Sequence, residues 1–164
     1  MIDPHATPTA GNDLPPLVLT LQVEAPAERA FDYFVRDWGV WWPRHSHSVC
    51  QADAQSVSLE AHVGGRLLEQ GADGTTHCWG TVERYDPPRS LRFTWHPGGV
   101  ADRALWVEVS FAANAKGTLV TLVQGGWAVL QDRAAPARAG YEQGWGIVLM
   151  QVFAGYCKDR EVRS

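Results

Sequence analysis

The feature that most constrains this chain is a change of hydrophobic period partway along it. Between residues 57 and 124 apolar side chains recur at every second position, whereas between residues 134 and 160 they recur at helical spacing. Leu91, Phe93 and Trp95 alternate with Arg92 and Thr94, and Val107, Val109 and Phe111 alternate with Glu108 and Ser110. Val120, Leu122 and Gln124 continue the pattern less cleanly, because Leu119 and Val123 are also apolar. Gly64-Gly65, which tolerates the positive φ of a tight hairpin, Ala72-Asp73-Gly74, Pro87-Pro88 and residues 114–117 punctuate the run. Strands are therefore predicted over 57–63, 66–70, 76–85, 91–95, 105–112 and 118–124, joined as an antiparallel meander. Tyr141, Trp145, Val148, Leu149, Val152, Phe153 and Tyr156 then form one broad stripe of a helix predicted over 134–160. Lys158 and Arg160 suit the negative pole at its end.

Upstream, Leu17, Leu19, Leu21 and Val23 share one face of a strand. Pro26 suits the first turn of a helix, and Ala27, Ala30, Phe31, Phe34 and Val35 follow at helical spacing. Residues 38–43, Trp-Gly-Val-Trp-Trp-Pro, make a compact aromatic turn that Pro43 ends. The order is strand, short helix, strands, long helix, which predicts an α+β layout with helices on one face of an antiparallel sheet. Residues 1–15 carry Pro4, Pro8 and Pro15 among small polar neighbours and are predicted to be a disordered tail, leaving residues 16–164 as a single domain.

Composition narrows the functional classes. The 164 residues carry a formal charge of −4 with no run of Lys or Arg, so no nucleic acid partner is expected. No stretch approaches the roughly 20 apolar residues that span a bilayer, and the opening Met1-Ile2-Asp3-Pro4 lacks the basic-then-apolar pattern of a signal peptide. Cys50, Cys78 and Cys157 are odd in number and far apart, which points to free thiols in a reducing, cytoplasmic setting. The eight tryptophans are a surplus that suits a core, a pocket or an interface.

Several motifs fall in a fixed order: Pro26; Trp41-Trp42-Pro43; Glu60, Gly64-Gly65-Arg66 and Glu69; Trp79-Gly80 and Val82; Asp86-Pro87-Pro88, Leu91 and Phe93-Thr94-Trp95; Gly117-Thr118; and Gly144-Trp145. In this order the chain resembles the START-like (SRPBCC) superfamily over about residues 17–160, and within it the bacterial branch related to the activator of the heat-shock chaperone ATPase. The resemblance implies a helix-grip fold: a curved antiparallel sheet of six to seven strands wrapped around the long C-terminal helix, enclosing an elongated cavity. It implies binding of lipids, hormones, polyketides or other apolar molecules, with cyclase or hydrolase activity in a few members. True activators carry a separate N-terminal domain, and only a short tail precedes the domain here, so the resemblance does not by itself carry a chaperone role.

Candidate site residues follow from both readings. Trp42, Trp79, Trp95, Phe111, Leu122 and Trp145 are assigned to apolar walls, and Glu60, Glu69 and Gln124 to the polar groups that orient a ligand. Trp127 belongs to the same aromatic set, which alternatively fills the core. The side chain of Trp79 depends on strand parity, which one bulge reverses. Glu60 and Glu69 could divide acid and base roles, or form a cross-strand ion pair with Arg66 on the solvent face. His62, His77 and His96 are further candidate bases without a local carboxylate partner. His45, His47 and Cys50 have the residue types of a metal site but no local fourth ligand; they read instead as a polar loop at the pocket mouth, and no metal and no cofactor are assigned. Gly140, Gly144, Gly146 and Gly155 each weaken the last helix, which implies either close backbone approach or open space beneath it. The expected function is binding of a small apolar or amphipathic molecule, with an enzyme acting on an aromatic or polyketide-like substrate and a protein-interaction or chaperone co-regulator role as alternatives. A homodimer is left open.

Overall fold

A computed structural model describes residues 14–163, so most of the segment expected to form a disordered tail lies outside the described residues. Seven strands form one antiparallel sheet in the order β1-β7-β6-β5-β4-β3-β2. They are β1 (Leu17–Val23), β2 (Ala54–Leu59), β3 (Arg66–Gly71), β4 (Thr76–Asp86), β5 (Ser90–Trp95), β6 (Leu105–Asn114) and β7 (Gly117–Gly125). The chain enters through β1, crosses to the far edge through two short helices, α1 (Ala27–Val35) and α2 (Trp38–Trp41), and returns strand by strand until β7 pairs with β1. The C-terminal helix lies across the concave face. This is the helix-grip architecture.

The alternation in β5, β6 and β7 sets the concave face. Leu91, Phe93 and Trp95, then Val107, Val109 and Phe111, then Val120, Leu122 and Gln124 are all buried. Register places Phe93 opposite Val107, Val109 opposite Leu122 and Phe111 opposite Val120, so these side chains form continuous rows. Phe31 and Phe34 of α1 close over Phe111 at ring-centroid distances of 5.2 and 5.8 Å. Pro26 sits one position before α1 and not within its first turn.

Three local departures bear on the site. The strand expected over 57–63 ends at Leu59, and residues 60–65 form a wider connection than a two-glycine hairpin. Gly64 takes φ +86° there, and a side chain at Gly65 would meet the Glu60 carbonyl at 2.1 Å. In β4 the register against β3 slips, Leu67 facing Gly80 and Leu68 facing Cys78. Trp79 is the extra residue of this bulge and is turned inward, 1% exposed. The last helix is not uniform: α3 (Ala134–Ile147) passes through a π-helical turn at Val148–Phe153 into α4 (Ala154–Arg163). The wider turn puts Val148, Leu149 and Phe153 together on the buried side.

The glycines of this helix resolve the choice left by the sequence. A methyl group at Gly140, Gly144, Gly146 or Gly155 would meet nothing within 4 Å outside its own helix, so close backbone approach is not their purpose.

Candidate functional site

A cavity of about 300 Å³ opens between the upper end of the sheet and α3. Trp42, Trp79, Trp95 and Trp145 form its floor and inner walls. Each indole touches at least two of the others: Trp42 lies 5.5 Å from Trp79, 5.9 Å from Trp95 and 5.8 Å from Trp145, and Trp95 lies 5.6 Å from both Trp79 and Trp145. Tyr141, Gly144 and Val148 supply the helix side, and His47, Ser48, Val49, Pro97 and Gly98 the rim. None of the lining residues carries a carboxylate, an ammonium or a guanidinium group. The walls therefore offer flat apolar area with only His47, Ser48 and Tyr141 as polar side chains beyond the indole N–H groups.

The rim is held from below by Glu69. This carboxylate is fully buried, and its partners among the described residues are N–H groups and the Cys50 thiol, none of them cationic. Its Oε1 accepts the Val49 backbone N–H at 2.8 Å and Trp79 Nε1–H at 3.0 Å, and its Oε2 accepts the Cys50 backbone N–H at 2.7 Å. Burial pushes the Glu69 pKa up, but these bonds together with the Cys50 thiol favour the ionised form and hold it below the usual carboxylate value. The same contact and burial push the Cys50 thiol up. One buried charge thus fixes both a cavity wall, Trp79, and the segment that carries the rim. The segment is tied further by Trp42 Nε1–H donating to the His47 carbonyl at 2.7 Å and by the His47 N–H donating to the Pro43 carbonyl at 2.9 Å.

At the back of the cavity, Trp145 Nε1–H donates to Gln124 Oε1 at 2.7 Å, while Gln124 Nε2 has no hydrogen-bond partner among the described residues. Tyr141 stacks at a tilt on Trp127, with ring centroids 5.9 Å apart. Its hydroxyl lies beside the Trp95 indole N–H, and burial pushes its pKa up, so it stays protonated and able to donate.

The structure brings together Trp42, Trp79, Trp95 and Trp145 at the cavity, with Glu69 and Gln124 immediately behind the walls. It does not bring Glu60, Phe111 or Leu122 there. Glu60 lies beyond the end of β2, exposed, accepting the Arg66 N–H at 2.8 Å and pairing with the Arg66 guanidinium at 3.6 Å. Glu60 and Glu69 therefore form neither an acid–base pair nor a shared ion pair with Arg66, because the short β2 leaves one in solvent while β3 turns the other inward. Phe111 and Leu122 are in the sealed core, under α1 in the case of Phe111. His62 is exposed, and neither His77 nor His96 lines the cavity. Among the described residues no group of three His, Cys, Asp or Glu side chains is placed to hold a metal ion. His47 and Tyr141 line the cavity: His47 stands in the loop expected at the pocket mouth, whereas Tyr141, expected in the core stripe of the helix, was not assigned to the cavity by sequence.

A curled antiparallel half-barrel gripping a C-terminal helix, with a cavity at one end, defines the helix-grip class. Residues 24–157 match the family described as activator of Hsp90 ATPase homolog 1-like protein, and the chain belongs to this family. Solved structures share the fold. The AHSA1-like protein from Aeromonas hydrophila is 20% identical over 89% of this chain and 94% of its own, with a TM-score of 0.62. Protein MLL2253 from Mesorhizobium loti is 17% identical over 88% and 97%, also at 0.62. The anthrahydroquino-gamma-pyrone synthase Txn09, solved in complex with SUM, is 27% identical over 78% and 86%, at 0.53. No curated protein matches the sequence. Among the described residues no helix is long and apolar enough to cross a membrane.

Proposed function

We propose that this protein binds a small, flat, apolar or amphipathic molecule in the tryptophan-lined cavity. The observation that carries this reading is the cavity itself. About 300 Å³ of open space bordered by four indoles and a tyrosine offers a ligand predominantly apolar area to bury. The volume lies at the low end of the roughly 300–1,000 Å³ range of ligand pockets and suits a fused-ring system better than a long acyl chain. Gly144 keeps the helix side open where any larger residue would enter the space. The likeness to Txn09, a synthase of fused-ring products by its name, supports an aromatic ligand.

The test is a titration of intrinsic tryptophan fluorescence with 2-naphthol, against the Gly144→Leu variant. Wild type is expected to show saturable one-to-one quenching, since Trp42, Trp95 and Trp145 all face the ligand. The variant fills the cavity from the helix side and is expected to lose the response while keeping its thermal transition. Linear, unsaturable quenching in both proteins overturns the reading.

A further inference from the structure

A second cleft, of about 360 Å³, opens between α1 and α4 and shares no lining residue with the tryptophan cavity. Helical spacing builds it. Arg29, Asp32, Tyr33 and Arg36 follow at i, i+3, i+4 and i+7 along α1 and its C-cap, and Arg160 and Arg163 face them from α4. Four of the chain's 14 basic side chains therefore meet here, although the whole chain carries −4. Asp32 is the one carboxylate among the lining residues. Two neighbouring carboxylates are engaged outside the cleft. Glu161 accepts Arg29 Nε at 3.0 Å, Arg29 Nη2 at 2.8 Å and the Tyr33 hydroxyl, and Asp37 accepts the Tyr156 hydroxyl at 2.9 Å. Helix dipoles favour cations at C-termini, which accounts for Arg36, Arg160 and Arg163 one by one. They do not account for Arg29, which sits in the first turn of α1 where a cation opposes the dipole. Three guanidiniums keep donors free for a ligand. Arg36 lies 3.8 Å from Asp32 and 3.6 Å from Asp37, beyond hydrogen-bonding distance. Arg163 lies 3.3 Å from Asp159 in an exposed pair, and such pairs contribute little. Among the described residues Arg160 pairs with no carboxylate; its Cζ stands 6.0 Å from the Tyr33 ring and 5.9 Å from the Tyr156 ring, which orient it without consuming its N–H groups.

We propose that this cleft binds the phosphate chain of a small soluble molecule, with two adjacent phosphoryl groups engaging Arg36, Arg160 and Arg163 while Arg29 adds positive charge from its Glu161 anchor. The site is independent of the tryptophan cavity and does not rest on the ligand-binding reading. Guanidinium forks match phosphate oxygens in pairs, and each such bond is strengthened by the charges on both partners. A single carboxylate presents two oxygens and leaves most of these forks unused, whereas a terminal phosphoryl group presents three and its neighbour adds more. Four like charges around one cleft repel one another, so an anion of higher charge relieves more of that repulsion and binds more tightly.

The experiment titrates inorganic pyrophosphate into the protein by calorimetry at about 0.15 M salt, where diffuse surface attraction is screened. Wild type is expected to take up one pyrophosphate with a Kd below about 1 mM, and to bind orthophosphate and sulfate about tenfold more weakly. Arg160→Gln and Arg163→Gln are each expected to weaken pyrophosphate binding about tenfold. Arg103→Gln makes the same change of net charge at an exposed position outside the cleft and is expected to leave binding unchanged. All three variants are expected to keep the thermal transition of wild type. If Arg160→Gln unfolds, Arg163→Gln decides, because its side chain is exposed. Absence of saturable uptake by wild type overturns the proposal, as does equal weakening by Arg103→Gln. Sulfate binding as tight as pyrophosphate reduces the cleft to a general anion sink and overturns it too. Sedimentation with phosphatidate vesicles, lost in Arg163→Gln and unaccompanied by uptake of free pyrophosphate, overturns the assignment to a soluble molecule and gives the cleft to a lipid headgroup.

Discussion

At the residue scale, Glu69 shows how an expensive group becomes worth keeping. Its carboxylate satisfies three N–H groups that would otherwise be left unpaired, those of Val49, Cys50 and Trp79. Each buried unpaired donor costs roughly 1–3 kcal/mol. Glu69→Leu is therefore expected to lower stability by about 3 kcal/mol or more, read from denaturant unfolding. Glu69→Gln keeps the size of the side chain but removes the charge and one acceptor together, because an amide offers one acceptor oxygen and presents donors toward donors. The pH dependence has a fixed sign. The folded-state pKa of Glu69 is below its ordinary value near 4.5. Its stabilising contribution is thus complete above the unfolded value and is lost as pH falls through the folded one. Asp73, Asp86 and Glu161 are held low as well, by hydrogen bonds from Thr75, Arg89 and Arg29 respectively, so the informative quantity is the difference between wild type and Glu69→Gln. That difference is expected to shrink as pH falls below the ordinary carboxylate value near 4.5 and through the lower folded-state value. A difference independent of pH would show that the Glu69 charge does not hold the rim.

At the scale of elements, the bulge in β4 and the glycines of α3 make opposite demands. Gly80 stands where β4 and β5 touch: a side chain there would lie 1.7 Å from the Thr94 carbonyl oxygen. Gly80→Ala is expected to cost about 3 kcal/mol and to displace Trp79, with a lower denaturation midpoint and altered fluorescence. Gly140 has open space around it and does not line the cavity, so Gly140→Ala is expected to stabilise the protein by up to about 1 kcal/mol and leave 2-naphthol binding unchanged. A loss of binding in that variant would mean that α3 must flex to admit a ligand. The sequence made the sheet legible because alternation is strict in β5 and β6 and still recognisable in β7 despite Leu119 and Val123, and the stripe from Tyr141 to Tyr156 placed the helix. It made the cavity legible only in part. Trp42, Trp95 and Trp145 could be assigned from element and parity. Trp79 needed the position of a bulge, which is set by the approach of Thr94 to Gly80 and leaves only a glycine as its trace. Glu60 and Glu69 looked equivalent because a strand ending at Leu59 and a longer one read alike. The loop of His47 could be placed at the mouth by its polarity but not residue by residue, because it has no periodicity, and Tyr141 escaped assignment because a tyrosine on an apolar stripe gives no sign of whether solid core or open space lies below it.

At the scale of the whole molecule, the grip is uneven along the C-terminal helix. The π turn buries Val148, Leu149 and Phe153 against the sheet and α1, with Phe153 4.8 Å from Trp41 and 5.3 Å from Phe34. Beyond it, α4 is fastened by polar contacts to α1, Arg29 Nη2 to Glu161 at 2.8 Å and Tyr33 donating to Glu161 at 2.5 Å, and to the N-cap of α2, Tyr156 donating to Asp37 at 2.9 Å. Before the π turn, α3 buries only Ala134 and Trp145 over its 14 residues, and the cavity takes the place of the core beneath it. A ligand in that cavity supplies the missing contacts to α3 and none to α4. Binding at a hundred times its Kd adds about 2.7 kcal/mol to the folded state, which for a domain of this size raises Tm by roughly 5–10 °C. The gain is expected to be local in origin. Amide hydrogen exchange across residues 134–147 should slow on adding saturating 2-naphthol, while exchange across 154–163 should be unchanged except for the global stabilisation shared by all slow amides. Equal slowing along both segments would place the ligand's effect on the whole sheet and not on the helix above the cavity. Slowing confined to 154–163 would move the binding site to the other end of the grip, where Arg29, Tyr33, Arg160 and Arg163 line a polar cleft.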